Sequence, residues 1–228
     1  MINDIKAILI DIDNTLLDFN KGAKLAMEKA FIECGLSFKD EYFSVFTREN
    51  DLLWEKIERG ELTRQGLHKV RFSIIFNALN ITGDSDKAEV EFRKALFDIA
   101  ETVDGAVELL KYLSQKYKIY CASNAIYNQQ INRLKIAQMH DYFEGFFISE
   151  IIGVQKPTKE FFDYCFEHMN GITKEQTIMI GDSLTADIIG AKNYRIKSIW
   201  YNHLKKPNKT EIVPDYEVAS LLDIKNII

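Results

Sequence analysis

Asp11-Ile12-Asp13-Asn14-Thr15 closes a short apolar run, and carboxylates recur far along the chain at Asp182 and Asp187, with Ser123-Asn124 and Lys156 between them. Carboxylates gathered in one place repel one another unless a cation neutralises them. Oxygen ligands without His or Cys favour a hard ion, and magnesium suits phosphate chemistry best. Lys156 adds a fixed positive charge and Ser123 a hydroxyl donor. Such a set is suited to phosphoryl transfer, in which cations stabilise the equatorial oxygens while a carboxylate attacks in line. Taken singly, each residue has a plainer explanation. An Asp after a strand is often a turn or helix-cap residue, Lys156-Pro157 would pass for surface loop, and Ser123-Asn124 for a turn. The chemistry therefore depends on a fold that brings the segments together.

The elements that would do so are visible in the hydrophobic periodicity. Residues 5–10 form a short apolar, β-branched run that predicts a strand ending on Asp11. From about residue 20 to 101 only helical-period segments follow, at 22–34, 43–59, 63–79 and 85–100, with Thr63 placed to cap the third. Beyond residue 101 strand and helix signals alternate. Strands are expected at 117–122, 146–148, 177–180 and 198–201, a last pairing near 216–218, and helices at 106–115, 129–135, 159–168 and through Ile188 to Lys192. That alternation implies an α/β fold, a Rossmann-like parallel sheet with helices on both faces. The first strand needs the same sheet to pair with, so residues 17–100 read as an inserted all-helical cap domain and residues 1–16 with 101–228 as the α/β core. Ligands of open parallel sheets bind beside the carboxyl ends of the strands, where all of these polar segments would converge.

Composition limits the partners. The chain has 228 residues, 46% hydrophobic and 28% charged, with a formal net charge of −5. There is no global basic field to hold a nucleic acid polymer or an anionic membrane. No apolar run approaches the roughly 18 residues that span a bilayer. Met1-Ile2-Asn3-Asp4 lacks the pattern of a signal peptide. Cys34, Cys121 and Cys165 are odd in number and fall outside any C-x-x-C motif, which points away from disulfides or zinc and towards a reducing cytoplasm. His68, His140, His168 and His203 share no ligand spacing.

The ordered set Asp11-x-Asp13-x-Thr15, Ser123, Lys156 and Asp182…Asp187 resembles the four motifs of the haloacid dehalogenase (HAD) superfamily over essentially the whole chain, with the helical insert where that family carries a type 1 cap. The resemblance implies roles. Asp11 attacks phosphorus and becomes an aspartyl-phosphate, and Asp13 serves as general acid and then base. Thr15, Ser123, Asn124 and Lys156 hold the phosphoryl group and its loop. Mg²⁺ lies among Asp11, the Asp13 carbonyl, Asp182 and Asp187, with Asp187 in or just behind the ligand shell. The dehalogenase branch lacks an aspartate at the position of Asp13, so the resemblance favours a phosphatase.

The segment Asn50–Thr63, Arg71-Phe72 and Phe19 resemble the cap of the bacterial pyrimidine 5′-nucleotidases, enzymes acting on UMP, dUMP, dTMP and related nucleotides. Phe19, Trp54 and Arg71 would then meet the substrate by stacking and polar contact. Helical spacing equally places Trp54, Phe72 and Phe76 on a buried face, and lets Arg64 and Arg71 pair with Glu58 or Glu61. The implied partner is a small phosphate ester, a pyrimidine nucleotide or another metabolite such as phosphoglycolate or a sugar phosphate, handled by a monomer or homodimer. A phosphomutase and an inactive binding module on the same scaffold are the other readings.

Overall fold

A computed structural model describes residues 4–208 and 210–228. Met1-Ile2-Asn3, the expected start of the core, lies outside the described residues. The chain divides into two compact units, Phe19–Glu101 and Met1–Asp18 with Thr102–Ile228. The divisions fall two residues and one residue beyond those expected. The cause is Leu17, which bridges to both Asp13 and Thr102 and so belongs with the α/β unit.

The inserted unit is helical: α1 (Phe19–Glu33), α2 (Tyr42–Glu58), α3 (Arg64–Leu79) and α4 (Ser85–Phe97). Thr63 caps α3, its hydroxyl accepting from Gly66 N at 3.0 Å, and Asp84 caps α4 by accepting from Lys87 N at 2.9 Å. Helix α4 ends three residues before the expected Ala100. The core joins Ala23, Ala26 and Ala30 of α1 to Phe31, Phe46, Phe72, Phe76 and Phe92. Phe72 and Phe76 therefore occupy the buried face that their spacing predicted.

The second unit is a six-stranded parallel sheet in the order β3-β2-β1-β4-β5-β6. Its strands are β1 (Ala7–Ile10), β2 (Lys118–Ser123), β3 (Gly145–Ile148), β4 (Thr177–Gly181), β5 (Lys197–Tyr201) and β6 (Tyr216–Val218). All expected strands are present. Side chains alternate between faces, so the apolar run of β1 serves two cores. Ile8 and Ile10 pack with Leu109, Leu110 and Leu113 of α5 (Ala106–Leu113) and with Leu134 of α6 (Tyr127–Ile136). Ala7 and Leu9 pack with Phe161, Phe162 and Cys165 of α8 (Lys159–Glu167), which follows the short α7 (Ser149–Ile152). The helix expected through Ile188 is in two parts, a wide turn at Leu184–Ile188 and α9 (Ile189–Tyr194). No described helix is long and apolar enough to cross a membrane. All three cysteines are free.

Candidate active site

Ile10 of β1 lies in register with Cys121 of β2 and Ile180 of β4, so the three strands stop side by side. The next residues are Asp11, Ser123 (two positions beyond Cys121) and Asp182 (two beyond Ile180). Register alone thus converts three distant motifs into one site. After β1 the backbone curls back on itself. Leu16 N and Leu17 N donate to Ile12 O, and Asn14 N donates to Leu17 O at 2.7 Å. This curl needs a left-handed residue at position 14, which Asn tolerates (φ 59°).

Lys156 is the pivot. It is 1% exposed, and its Nζ donates to Asp11 Oδ1 at 2.8 Å, to Asp187 Oδ1 at 2.6 Å and to the Ala122 carbonyl. Burial opposes its charge, yet Asp11 and Asp187 outweigh that and hold its pKa above the usual lysine value. Asp187 reaches the pivot because of the wide turn after β4. Ser183 Oγ accepts from Ala186 N at 3.0 Å, and the other Asp187 oxygen accepts from Ser183 N at 3.1 Å. Gly181 permits this packing, since a Cβ there would lie 2.1 Å from Asp187 Oδ2.

Asp11, Asp182 and Asp187 each offer a carboxylate oxygen within 4.8 Å of the others. Burial raises the Asp11 pKa to about 7, against the pull of Lys156 and with a further push from Asp187. Burial, then Asp11 and Asp187, raises that of Asp182 well above the carboxylate range. Three oxygen donors facing one ammonium leave excess negative charge, and a hard divalent cation would relieve it. The donor set fits such an ion. Trp200 of β5 steadies one side by donating its indole N–H to the Asp182 carbonyl at 2.8 Å, and Thr15 Oγ1 lies 3.5 Å from Asp182 Oδ1.

Some expected residues serve otherwise. Asn124, expected on the phosphate, instead clamps the Lys156 backbone: its amide donates to Lys156 O at 2.9 Å and accepts from Lys156 N at 2.8 Å. Arg71, expected on the substrate, lies buried among the helices of the inserted unit. It is 4% exposed, gives Glu89 two hydrogen bonds at 3.0 and 2.7 Å, reaches Asn50 Oδ1 at 3.1 Å, and lies over the Phe92 ring at 4.5 Å. A guanidinium so engaged is part of the helical core. Trp54 is half-buried against Leu53, Ile57 and Leu67, and Phe19 against the aromatic cluster.

Two residues were not foreseen. Gln130 and Arg133 of α6 are both fully buried, and both reach Asp13. Their signal was present in the sequence: with Leu134 they share one face of the helix, the i and i+3 positions being polar where an apolar stripe would be expected.

The profile of the family described as haloacid dehalogenase-like hydrolase matches residues 5–194. The chain belongs to that family. The pyrimidine 5′-nucleotidase PynA of Streptococcus pneumoniae is 36% identical over 220 residues, covering 96% of this chain and 93% of its own. The pyrimidine 5′-nucleotidase YjjG of Escherichia coli is 29% identical over 221 residues, covering 97% and 96%. The crystal structure of the HAD-hydrolase YfnB from Bacillus subtilis bound to magnesium has a TM-score of 0.93 at 32% identity, with 99% of each chain covered. The expected hydrolase family and α/β fold are therefore established.

Proposed function

We propose that this protein is a magnesium-dependent phosphatase that hydrolyses pyrimidine nucleoside 5′-monophosphates through an aspartyl-phosphate. The observation that carries the chemistry is Asp11: one of its oxygens is held by Lys156 at 2.8 Å, within a cluster shared with Asp182 and Asp187. Fixing one oxygen orients the other for attack on phosphorus. Asp13 protonates the leaving oxygen and then takes a proton from the water that cleaves the acyl-phosphate. Ser123 donates to a phosphoryl oxygen, and Lys156 balances the negative charge of the transferring phosphoryl group as Asp11 becomes phosphorylated. Asp11, Asp182 and the Asp13 carbonyl would hold Mg²⁺. Asp187 fixes Lys156 with one oxygen and the backbone of Ser183 with the other, and it stands in or just behind the ligand shell. The ion would supply positive charge to the transferring phosphoryl group. The nucleotide preference rests on the likeness to PynA and YjjG.

Phosphate release from a panel of monoesters, with and without Mg²⁺, tests both levels. Asp11→Asn should abolish turnover in a folded protein, and EDTA should do the same to the parent. Undiminished turnover in Asp11→Asn would sink the mechanism. Higher kcat/KM for phosphoglycolate or hexose phosphates than for UMP and dTMP would sink the nucleotide assignment alone.

A further inference from the structure

Ser123, Gln130 and Arg133 are 1%, 0% and 0% exposed, so the hydrogen bonds they make are made within the protein. Arg133 Nη1 donates to Asp13 Oδ1 at 2.6 Å and to Gln130 Oε1 at 2.9 Å. The Gln130 amide nitrogen donates to Asp13 Oδ2 at 2.7 Å and to Ser123 Oγ at 3.0 Å. The direction of each bond follows from elementary inventory. A guanidinium can only donate, so the Gln130 atom facing it must be the oxygen. Turning the amide over would set N–H against N–H on one side and carbonyl oxygen against carboxylate on the other. The two amide hydrogens therefore point at Asp13 and Ser123. Ser123 Oγ then accepts, and its single proton remains to be donated.

From this network we infer that Gln130 and Arg133 are positioning residues of the proposed phosphatase reaction, and the inference rests on that reading. Arg133 fixes the Gln130 amide. Gln130 in turn fixes the polarity of the Ser123 hydroxyl, so that it presents a proton to the phosphoryl oxygen. Between them the two side chains hold both oxygens of Asp13 in one orientation beside the nucleophile loop. The i, i+3 spacing on α6 puts both on one face of a rigid element, which suits them to hold a geometry. A serine on a phosphate site could point its proton anywhere, and this arrangement removes that freedom before substrate binds.

Two measurements test it. In the first, single-turnover release of the leaving group is followed from dTMP, whose alkoxide needs a proton, and from 4-nitrophenyl phosphate, whose phenolate does not. Single-turnover rate constants do not depend on the fraction of protein folded. Gln130→Met and Arg133→Met should slow dTMP cleavage by about 100-fold and aryl cleavage by less than about 10-fold. An equal loss on both esters, or none, would overturn the role with Asp13. In the second, inorganic phosphate is titrated calorimetrically into the magnesium-loaded protein. The near-isosteric Gln130→Glu, which offers Ser123 an acceptor, should weaken phosphate by about 10-fold, and most of that loss should vanish in a Ser123→Ala background. Additive losses would overturn the polarity assignment. Wild-type protein that turns over neither ester would remove the phosphatase reading, while the phosphate cycle, needing no turnover, still decides the orientation of Ser123.

Discussion

In the helical unit the buried Arg71 meets Glu89 through two hydrogen bonds and Asn50 through a third, and the charges sum to zero. In the α/β unit the buried Lys156 meets Asp11 and Asp187, with Asp182 close by, and one positive charge faces three negative groups. Burial of ions is costly in either case, and a matched pair with its lone pairs occupied recovers most of the cost. The first arrangement is complete as it stands and reads as structure. The second is incomplete without a further cation: burial raises the pKa of Glu89 as it does those of Asp11 and Asp182, but around Glu89 the neighbouring charges pull it back down, whereas neighbouring carboxylates push Asp11 and Asp182 further up. Unbalanced buried charge, rather than buried charge itself, distinguishes the site that does chemistry.

The contrast can be broken at several points. The largest effect is expected from Glu89→Gln, which leaves Arg71 uncompensated and should lower stability by roughly 3–5 kcal/mol, read from thermal melts followed by circular dichroism. The double substitution Arg71→Met with Glu89→Leu should recover most of it. A mild loss in the single variant would mean that the pair is not structural. Next comes Asp182→Asn. Phosphate release should fall by about 10²–10³-fold, yet the metal-free protein should melt no lower than the parent, because a repulsion has been relieved. A clear drop in melting temperature would contradict the unbalanced-charge account.

Smaller effects concern pH. With the Asp11 pKa raised to about 7, the carboxyl carries a proton below neutrality that a Mg²⁺ ion binding there would have to displace. Calorimetric Mg²⁺ affinity should therefore rise by about tenfold from pH 6 to pH 8, and a flat profile would refute this. The smallest effect is at His68 in the helical unit. Burial, then Arg93, Arg71 and Arg64, lowers its pKa to about 4. Its contribution is present above pH 6.5 and is lost as pH falls through 4, so His68→Gln should flatten the acid limb of the melting curve. An unchanged limb would dismiss it.

Much of this was legible in the amino-acid order, for identifiable reasons. A strand buried on both faces is written as a continuous apolar run, which is why β1 and Asp11 could be placed together. Thr63 announced α3 because capping is a local interaction. What escaped depends on contacts distant in sequence. Arg71 finds Glu89 18 residues away on another helix, so its spacing could not separate a ligand contact from a core pair. Asn124 was read by its place beside Ser123, whereas its amide matches the backbone of a loop 32 residues on. Gln130 and Arg133 interrupt the apolar stripe of α6, but only the turn of α6 towards Asp13, 117 and 120 residues earlier, says what they meet.

One small feature has consequences beyond catalysis. Leu17 forms an antiparallel bridge with Thr102, and Val103 N donates to Leu16 O at 3.0 Å. The chain thus departs for its helical excursion and returns at a single clasp within the α/β unit. Closing a longer excursion at such a clasp costs little more entropy than closing a short one. The helical unit is thus an insertion closed at one point, and the sheet register that assembles Asp11, Ser123 and Asp182 is set by pairings within the α/β unit alone.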